Sequence, residues 1–109
     1  MKLYFYKLDK GVFDGKPKGI TVKDYEVIEK SKTYFPADGG NFPGYMCFVR
    51  KADIGKIIGY DNSRIVLTES NFEYAKNKFR ELAESAVKQA RERLTEYESV
   101  LRAINESEE

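Results

Sequence analysis

Between residues 70 and 104 the apolar positions are Phe72, Ala75, Phe79, Leu82, Ala86, Ala90, Leu94, Tyr97, Leu101 and Ile104. Steps of three or four keep one stripe on one face, so the spacing predicts a helix over residues 70–105. Ser70 followed by Glu73 matches a capping box, in which each side chain takes one otherwise unpaired amide at the helix start. No Gly or Pro interrupts the run, and most of its residues favour helix. Glu84 and Lys88 form an i,i+4 pair in the favourable orientation. Asn105 ends the helix, and residues 106–109 form an acidic tail with a frayed end. Three successive steps of four, from Leu82 to Leu94, interrupt a strict heptad as a stutter does.

The length of this helix carries an implication. At 1.5 Å per residue it spans roughly 50 Å, whereas a typical strand spans about 17–20 Å. The rest of the chain is too small to cover the whole stripe. The part from Ala90 to Ile104 needs another partner, and a second copy of the same helix is the simplest one. A helix lying diagonally across a wide sheet is the alternative.

The pattern before residue 70 changes to a period of two. Residues 2–8 are aromatic-rich and suit a strand. Residues 9–19 hold Asp9, Gly11, Asp14, Gly15, Pro17 and Gly19, which is loop chemistry. Residues 20–34 read as one long strand with a bulge near Lys23-Asp24, because no single alternation runs through them. Paired with the first strand, it makes a hairpin with a long loop. Residues 36–44 contain two prolines and three glycines and form a turn-rich loop. Residues 45–49 read as a third strand, and residues 51–54 as a short helical turn ended by Gly55. Residues 56–60 and 64–68 flank Asp61-Asn62-Ser63 as a tight hairpin. The predicted fold class is therefore α+β: a mainly antiparallel sheet of about five strands, then one long C-terminal helix that mediates oligomerisation.

Composition adds limits. A chain of 109 residues fits one domain, 1–109, divided into a β-rich part (1–69), a helix (70–105) and a tail (106–109). The formal net charge is +1, far from the basic excess of a general nucleic-acid binder. A small anionic ligand stays compatible, because a local cluster of cations suffices. The one cysteine, Cys47, allows no intrachain disulfide, and its neighbours Met46 and Phe48 place it in a strand interior as a small buried hydrophobe. No apolar run reaches transmembrane length and no signal-peptide core is present, so the chain reads as cytoplasmic.

No catalytic set stands out. The chain has no histidine, which removes the commonest general base and the commonest transition-metal ligand. There is no zinc cluster, nucleophile elbow, P-loop or dinucleotide fingerprint. The reading is a non-enzyme without a cofactor. The best binding candidate is the stretch 32–51, with Tyr34, Phe42, Tyr45, Arg50 and Lys51, joined by Arg64 from the last strand. Aromatic faces stack on nucleobases, and cations with exposed loop amides hold phosphates. The helix adds Asn71 and Arg80, near Lys76, Asn77, Arg91 and Arg93, as groups framing a pocket where helix meets sheet. In the opposing reading these aromatics fill the core and these cations are a solvated face.

The run Lys32-x-Tyr34-x-Pro36, the Gly/Pro loop, Tyr45, Lys-Ala-Asp-Ile-Gly-Lys-Ile-Ile-Gly at 51–59 and Ile-Val-Leu-Thr-Glu at 65–69 resembles small accessory proteins of phages and prophages. In architecture the chain is similar to the Tad1-like sponge proteins, which pair a sheet with long dimerising helices. This resemblance implies a homo-oligomer that sequesters a nucleotide-derived immune signal, cyclic or of ADP-ribose type, in the host cytosol. The alternative it leaves open is an anti-CRISPR-like inhibitor or adaptor that binds a host defence protein. No membrane partner is implied, and the near-neutral charge argues against nucleic acid.

Overall fold

The computed structural model describes residues 1–11, 15–59 and 61–107. Strand β1 (Lys2–Asp9) is central, and its alternation assigns the two faces of the sheet. Leu3 and Phe5 are buried on one face; Tyr6 is buried on the other, with Tyr4 and Leu8 beside it. β1 pairs with β2 (Gly19–Glu29) on one side and with β6 (Arg64–Leu67) on the other. Beyond β2 lie β3 (Thr33–Pro36) and β4 (Val49–Arg50), and beyond β6 lies β5 (Ile57–Ile58). The order is β4-β3-β2-β1-β6-β5, with every pairing antiparallel. A 3₁₀ turn at Lys51–Asp53 follows β4 as expected, and α1 (Phe72–Asn105) ends at the expected residue. The fold is α+β, a curled antiparallel sheet of six strands plus one long C-terminal helix.

The curl comes from β2, which changes partner along its length. Its residues 19–26 pair with β1, and its residues 27–29 pair with β3. This replaces the bulge expected near Lys23-Asp24: the register runs unbroken from Lys2↔Glu26 to Asp9↔Gly19. The expected strand over 20–34 is in fact two strands. The chain turns at Lys30-Ser31-Lys32, where the Lys30 amide donates to the Thr33 carbonyl at 2.8 Å. That turn has no Gly, Pro, Asn or Asp, and Ser31 alone marks it only weakly. The expected strand over 45–49 shrinks to a bridge between Phe42 and Met46 and the two residues of β4. Gly44 and Tyr45 both have positive φ, which takes the chain out of extended geometry there. Cys47 is consequently exposed rather than buried in a strand. Asp14, Tyr60 and the tail residues Glu108 and Glu109 lie outside the described residues.

Two apolar clusters hold the sheet. One joins Leu3, Phe5, Val27, Tyr34, Phe42, Val49 and Val66, so the loop residue Phe42 caps that face. The other joins Tyr6, Ile65 and Leu67 to Ala75 and Phe79 of α1. The helix start is set by Asn71, not by the Ser70–Glu73 capping box. The Asn71 side-chain oxygen accepts the Tyr74 amide at 3.1 Å, and the Asn71 amide donates to the Tyr6 hydroxyl at 2.8 Å. Asn is as good an N-cap as Ser, and Tyr6 holds this one to the sheet. The Tyr74 hydroxyl adds a third tie, donating to the Gly55 carbonyl at 2.8 Å.

By compactness the chain divides within α1, into Met1–Phe79 and Arg80–Glu109. In the second unit Leu82 is half-buried and every described residue from 83 to 107 is exposed. Glu84 and Lys88 do not form their expected ion pair among the described residues.

Candidate functional site

The face of the sheet that carries Phe5 also carries a charge pattern that packing does not explain. Along β1, Phe5 and Lys7 share this face, and β2 presents Thr21, Lys23 and Tyr25 on it. Phe5 lies opposite Lys23 on β2, and Lys7 lies opposite Arg64 on β6. Three cations therefore surround one aromatic residue. They line a cleft of about 450 Å³ with Phe5, Tyr25 and the loop residues Asn41, Phe42 and Pro43. No Asp or Glu lines it.

The aromatic floor is a packed set. The Phe5 and Phe42 ring centroids are 4.8 Å apart, and Tyr25 meets both rings edge-on at 5.1 and 6.0 Å. These contacts fix the ring positions beside the cations. The loop is held by a hydrogen bond from the Phe42 amide to the Met46 carbonyl at 2.8 Å.

Arg64 is the most constrained of the cations. Its Nε is buried without a hydrogen-bond partner. Its guanidinium runs between two glycines. A Cβ on Gly44 would fall 2.9 Å from Cζ, and one on Gly59 would fall 3.0 Å from a terminal nitrogen. Both glycines have positive φ (77° and 96°), so backbone conformation and space alike call for glycine there. Asp61 lies within electrostatic reach of Arg64. Its carboxyl is held below the usual range chiefly by the Ser63 hydroxyl, with smaller contributions from its own amide, Arg64 and Lys10 and with burial opposing. Lys7 and Lys23 are exposed and make no ion pair or side-chain hydrogen bond among the described residues. Like charges directly opposed across strands are destabilising, and an unpaired buried donor costs free energy. An anion in the cleft would relieve both.

Of the eight residues expected at a binding site, the structure places only Phe42 and Arg64 on this cleft. Tyr34 and Phe42 are core residues, at 5% and 2% exposure, so only one edge of Phe42 is available. Tyr45 stands free at 89% exposure. Arg50 pairs with Asp53 at 3.3 Å, and Lys51 pairs with Glu29 at 2.7 Å while lying over the Tyr34 ring. Asn71 is the helix cap, and Arg80 is exposed and belongs to the second unit. The cleft at the start of α1 is small, about 170 Å³, and has Glu69 but no cation. The expected pocket between helix and sheet is therefore not where cations gather.

The residues missed were Lys7, Lys23 and Tyr25. Their signal was present in the two strands as Phe-x-Lys (residues 5–7) and Lys-x-Tyr (residues 23–25). Only the β1–β2 register sets them side by side.

Among the described residues no group of three or more acidic, cysteine or histidine side chains is placed to hold a metal ion. Among the described residues no helix is long and apolar enough to cross a membrane. Comparison with protein-family models, with characterised sequences and with solved structures gives no match to this chain.

Proposed function

We propose that this protein binds a small anionic ligand bearing an aromatic group, of nucleotide type, in the cleft between β1, β2 and the loop at residues 41–43. The observation that carries the reading is the set Lys7, Lys23 and Arg64, which form no ion pair among the described residues, around the Phe5–Tyr25–Phe42 floor. A cleft of about 450 Å³ suits a ligand of that size. The cations hold phosphate and the ring edges contact the base. The ligand is held without turnover, and no cofactor takes part. The resemblance to phage accessory proteins extends this to an anti-defence role, a cytoplasmic sponge that sequesters a nucleotide-derived immune signal.

The experiment incubates the protein separately with ADP-ribose, a cyclic dinucleotide and inorganic pyrophosphate, removes free ligand and denatures the protein. Intact nucleotide is recovered from the wild type, and at least tenfold less from Arg64→Met or Lys23→Gln. Recovery of a cleaved product overturns the non-enzymatic reading. Failure of the native protein to retain any of the three overturns the binding reading.

One observation favours a second reading, a host-protein inhibitor or adaptor. Tyr45 presents a fully exposed ring from a positive-φ backbone, and exposed tyrosines of this kind anchor protein interfaces. In that case Tyr45→Ala abolishes a stoichiometric complex that survives nucleotide removal, while Arg64→Met leaves it intact.

A further inference from the structure

The buried part of the helix stripe, Ala75 and Phe79, ends with half-buried Leu82. From Ala83 a second series begins. Ala83, Ala90, Tyr97 and Ile104 recur every seven residues, and so do Val87, Leu94 and Leu101. These are the d and a positions of an uninterrupted heptad. Leu94, Tyr97 and Ile104 are 59%, 69% and 62% exposed within one chain. The handover from one series to the other falls at residues 79–87, where two steps of four follow one another.

We infer that this face is covered by the same face of a second copy of the chain, running antiparallel. Residue size decides the direction. In a parallel pair Ala83 and Ala90 would face themselves and leave voids, while Tyr97 would be crowded against Tyr97. In an antiparallel pair centred between Thr95 and Glu96, Val87 meets Ile104, Ala90 meets Leu101, and Leu94 meets Tyr97. Small Ala90 then faces large Leu101 in place of itself.

Charge agrees with size. Residues 84–93 have three basic against two acidic side chains, and residues 94–106 have one basic against three acidic. The net charges are +1 and −2, so antiparallel pairing lays the basic half on the acidic half. Arg91 of each copy comes beside Glu98 of the other. None of these charged groups has an ion pair within the chain among the described residues. The helix dipoles also oppose in this arrangement. This pairing does not depend on the ligand reading above.

The test is cysteine cross-linking in a Cys47→Ser background. Val87→Cys and Ile104→Cys are made as separate single variants, one of them tagged, and oxidised alone and mixed. Antiparallel pairing gives a cross-linked heterodimer on mixing, at least tenfold above either variant alone. Efficient cross-linking of each variant with itself, and no gain on mixing, overturns the direction. A monomeric mass by light scattering for the unmutated chain at 100 µM (on the order of ordinary working concentration) overturns the pairing itself. Leu94→Glu combined with Leu101→Glu tests the face without cysteines: the mass halves while the near-ultraviolet tyrosine signal of the sheet is kept.

Discussion

Replacing Arg64 by Met separates a structural arginine from a functional one. Methionine keeps most of the aliphatic stem and removes the charge and all five donors. If the arginine holds the fold, its loss destabilises. The geometry says otherwise. Its Nε is buried and unpaired, a defect that costs about 1–3 kcal/mol when a group is fully buried. Lys7 lies directly opposite, and such a like-charge pair costs on the order of 0.2–1 kcal/mol. Arg64 is only half-buried and Asp61 lies near it, so the lower end of both ranges applies. The expected result is a gain of about 1 kcal/mol, a rise in Tm of roughly 4–8 °C for a compact unit of this size.

Salt gives the second readout. Screening weakens the repulsion between Lys7, Lys23 and Arg64 in the wild type. The stability gap between variant and wild type therefore narrows as salt is raised. Affinity moves the other way. A charge-assisted hydrogen bond is worth about 1.5–3 kcal/mol, so the variant binds an anionic ligand roughly ten- to a hundredfold more weakly. Circular-dichroism melts at low and high salt, with titration calorimetry on the same samples, measure both. A variant that melts lower at every salt concentration refutes the reasoning, because the arginine is then a packing residue. Arg64→Lys restores part of the binding and none of the bidentate geometry.

Three further outcomes follow from the same structure. Asn71→Ala removes the cap of α1 and lowers stability by about 0.5–2 kcal/mol, whereas Ser70→Ala changes it by less than about 0.5 kcal/mol; urea midpoints of the two variants check this. Phe79→Ala empties the contact between α1 and the Tyr6 face and costs about 3–5 kcal/mol, read from the same curves. Asp61 has a folded pKa below its unfolded value, so it stabilises the fold above the unfolded pKa and that stability is lost as pH falls through the folded one. Asp61→Asn therefore lowers the urea midpoint at neutral pH, and the gap to the wild type closes as pH falls through the folded pKa.

The helix was the most legible element, because 34 residues of regular spacing average over local accidents. Its end at Asn105 was readable for the same reason. Its start was not: Ser70 and Asn71 are both good caps, and the Tyr6 hydroxyl at the Asn71 amide decides between them. The hairpin of β1 and β2 was legible, but the turn at Lys30-Ser31-Lys32 carries only Ser31 as a turn residue and was hidden between two runs of strand formers. The exchange at Tyr34, Phe42 and Tyr45 has a different cause. An aromatic in a short loop is buried or exposed according to one or two φ angles, and Gly44 and Tyr45 set those. Phe42 turns inward as the cap of a core, and Tyr45 turns out. The cleft itself was hidden because its cations come from three strands, and strand register is a property of pairs.

Register is also what keeps the two faces of β1 distinct. A strand slipped by one residue exchanges its whole set of side chains between faces. In β1 that slip would bring Lys7 to the face where Tyr6 packs with Ala75 and Phe79, and would bring Tyr4 and Tyr6 into the cleft. Lys7 would then be buried without a partner, at a cost of several kcal/mol. On the cleft face Phe5 sits between Tyr25 and Phe42, and on the other face the Tyr6 hydroxyl holds the Asn71 amide. Each of these contacts fails in the slipped register. The residues that position the cations are thus the neutral aromatics next to them in sequence. It follows that Tyr6→Phe, which removes one hydroxyl on the helix face, loosens the register that sets Lys7 opposite Arg64. The effect should be seen as faster exchange of the β1 amides and as weaker ligand binding, although Tyr6 presents its hydroxyl to the opposite face. Unchanged exchange and unchanged affinity would show that the register is held by Phe5, Tyr25 and Phe42 alone.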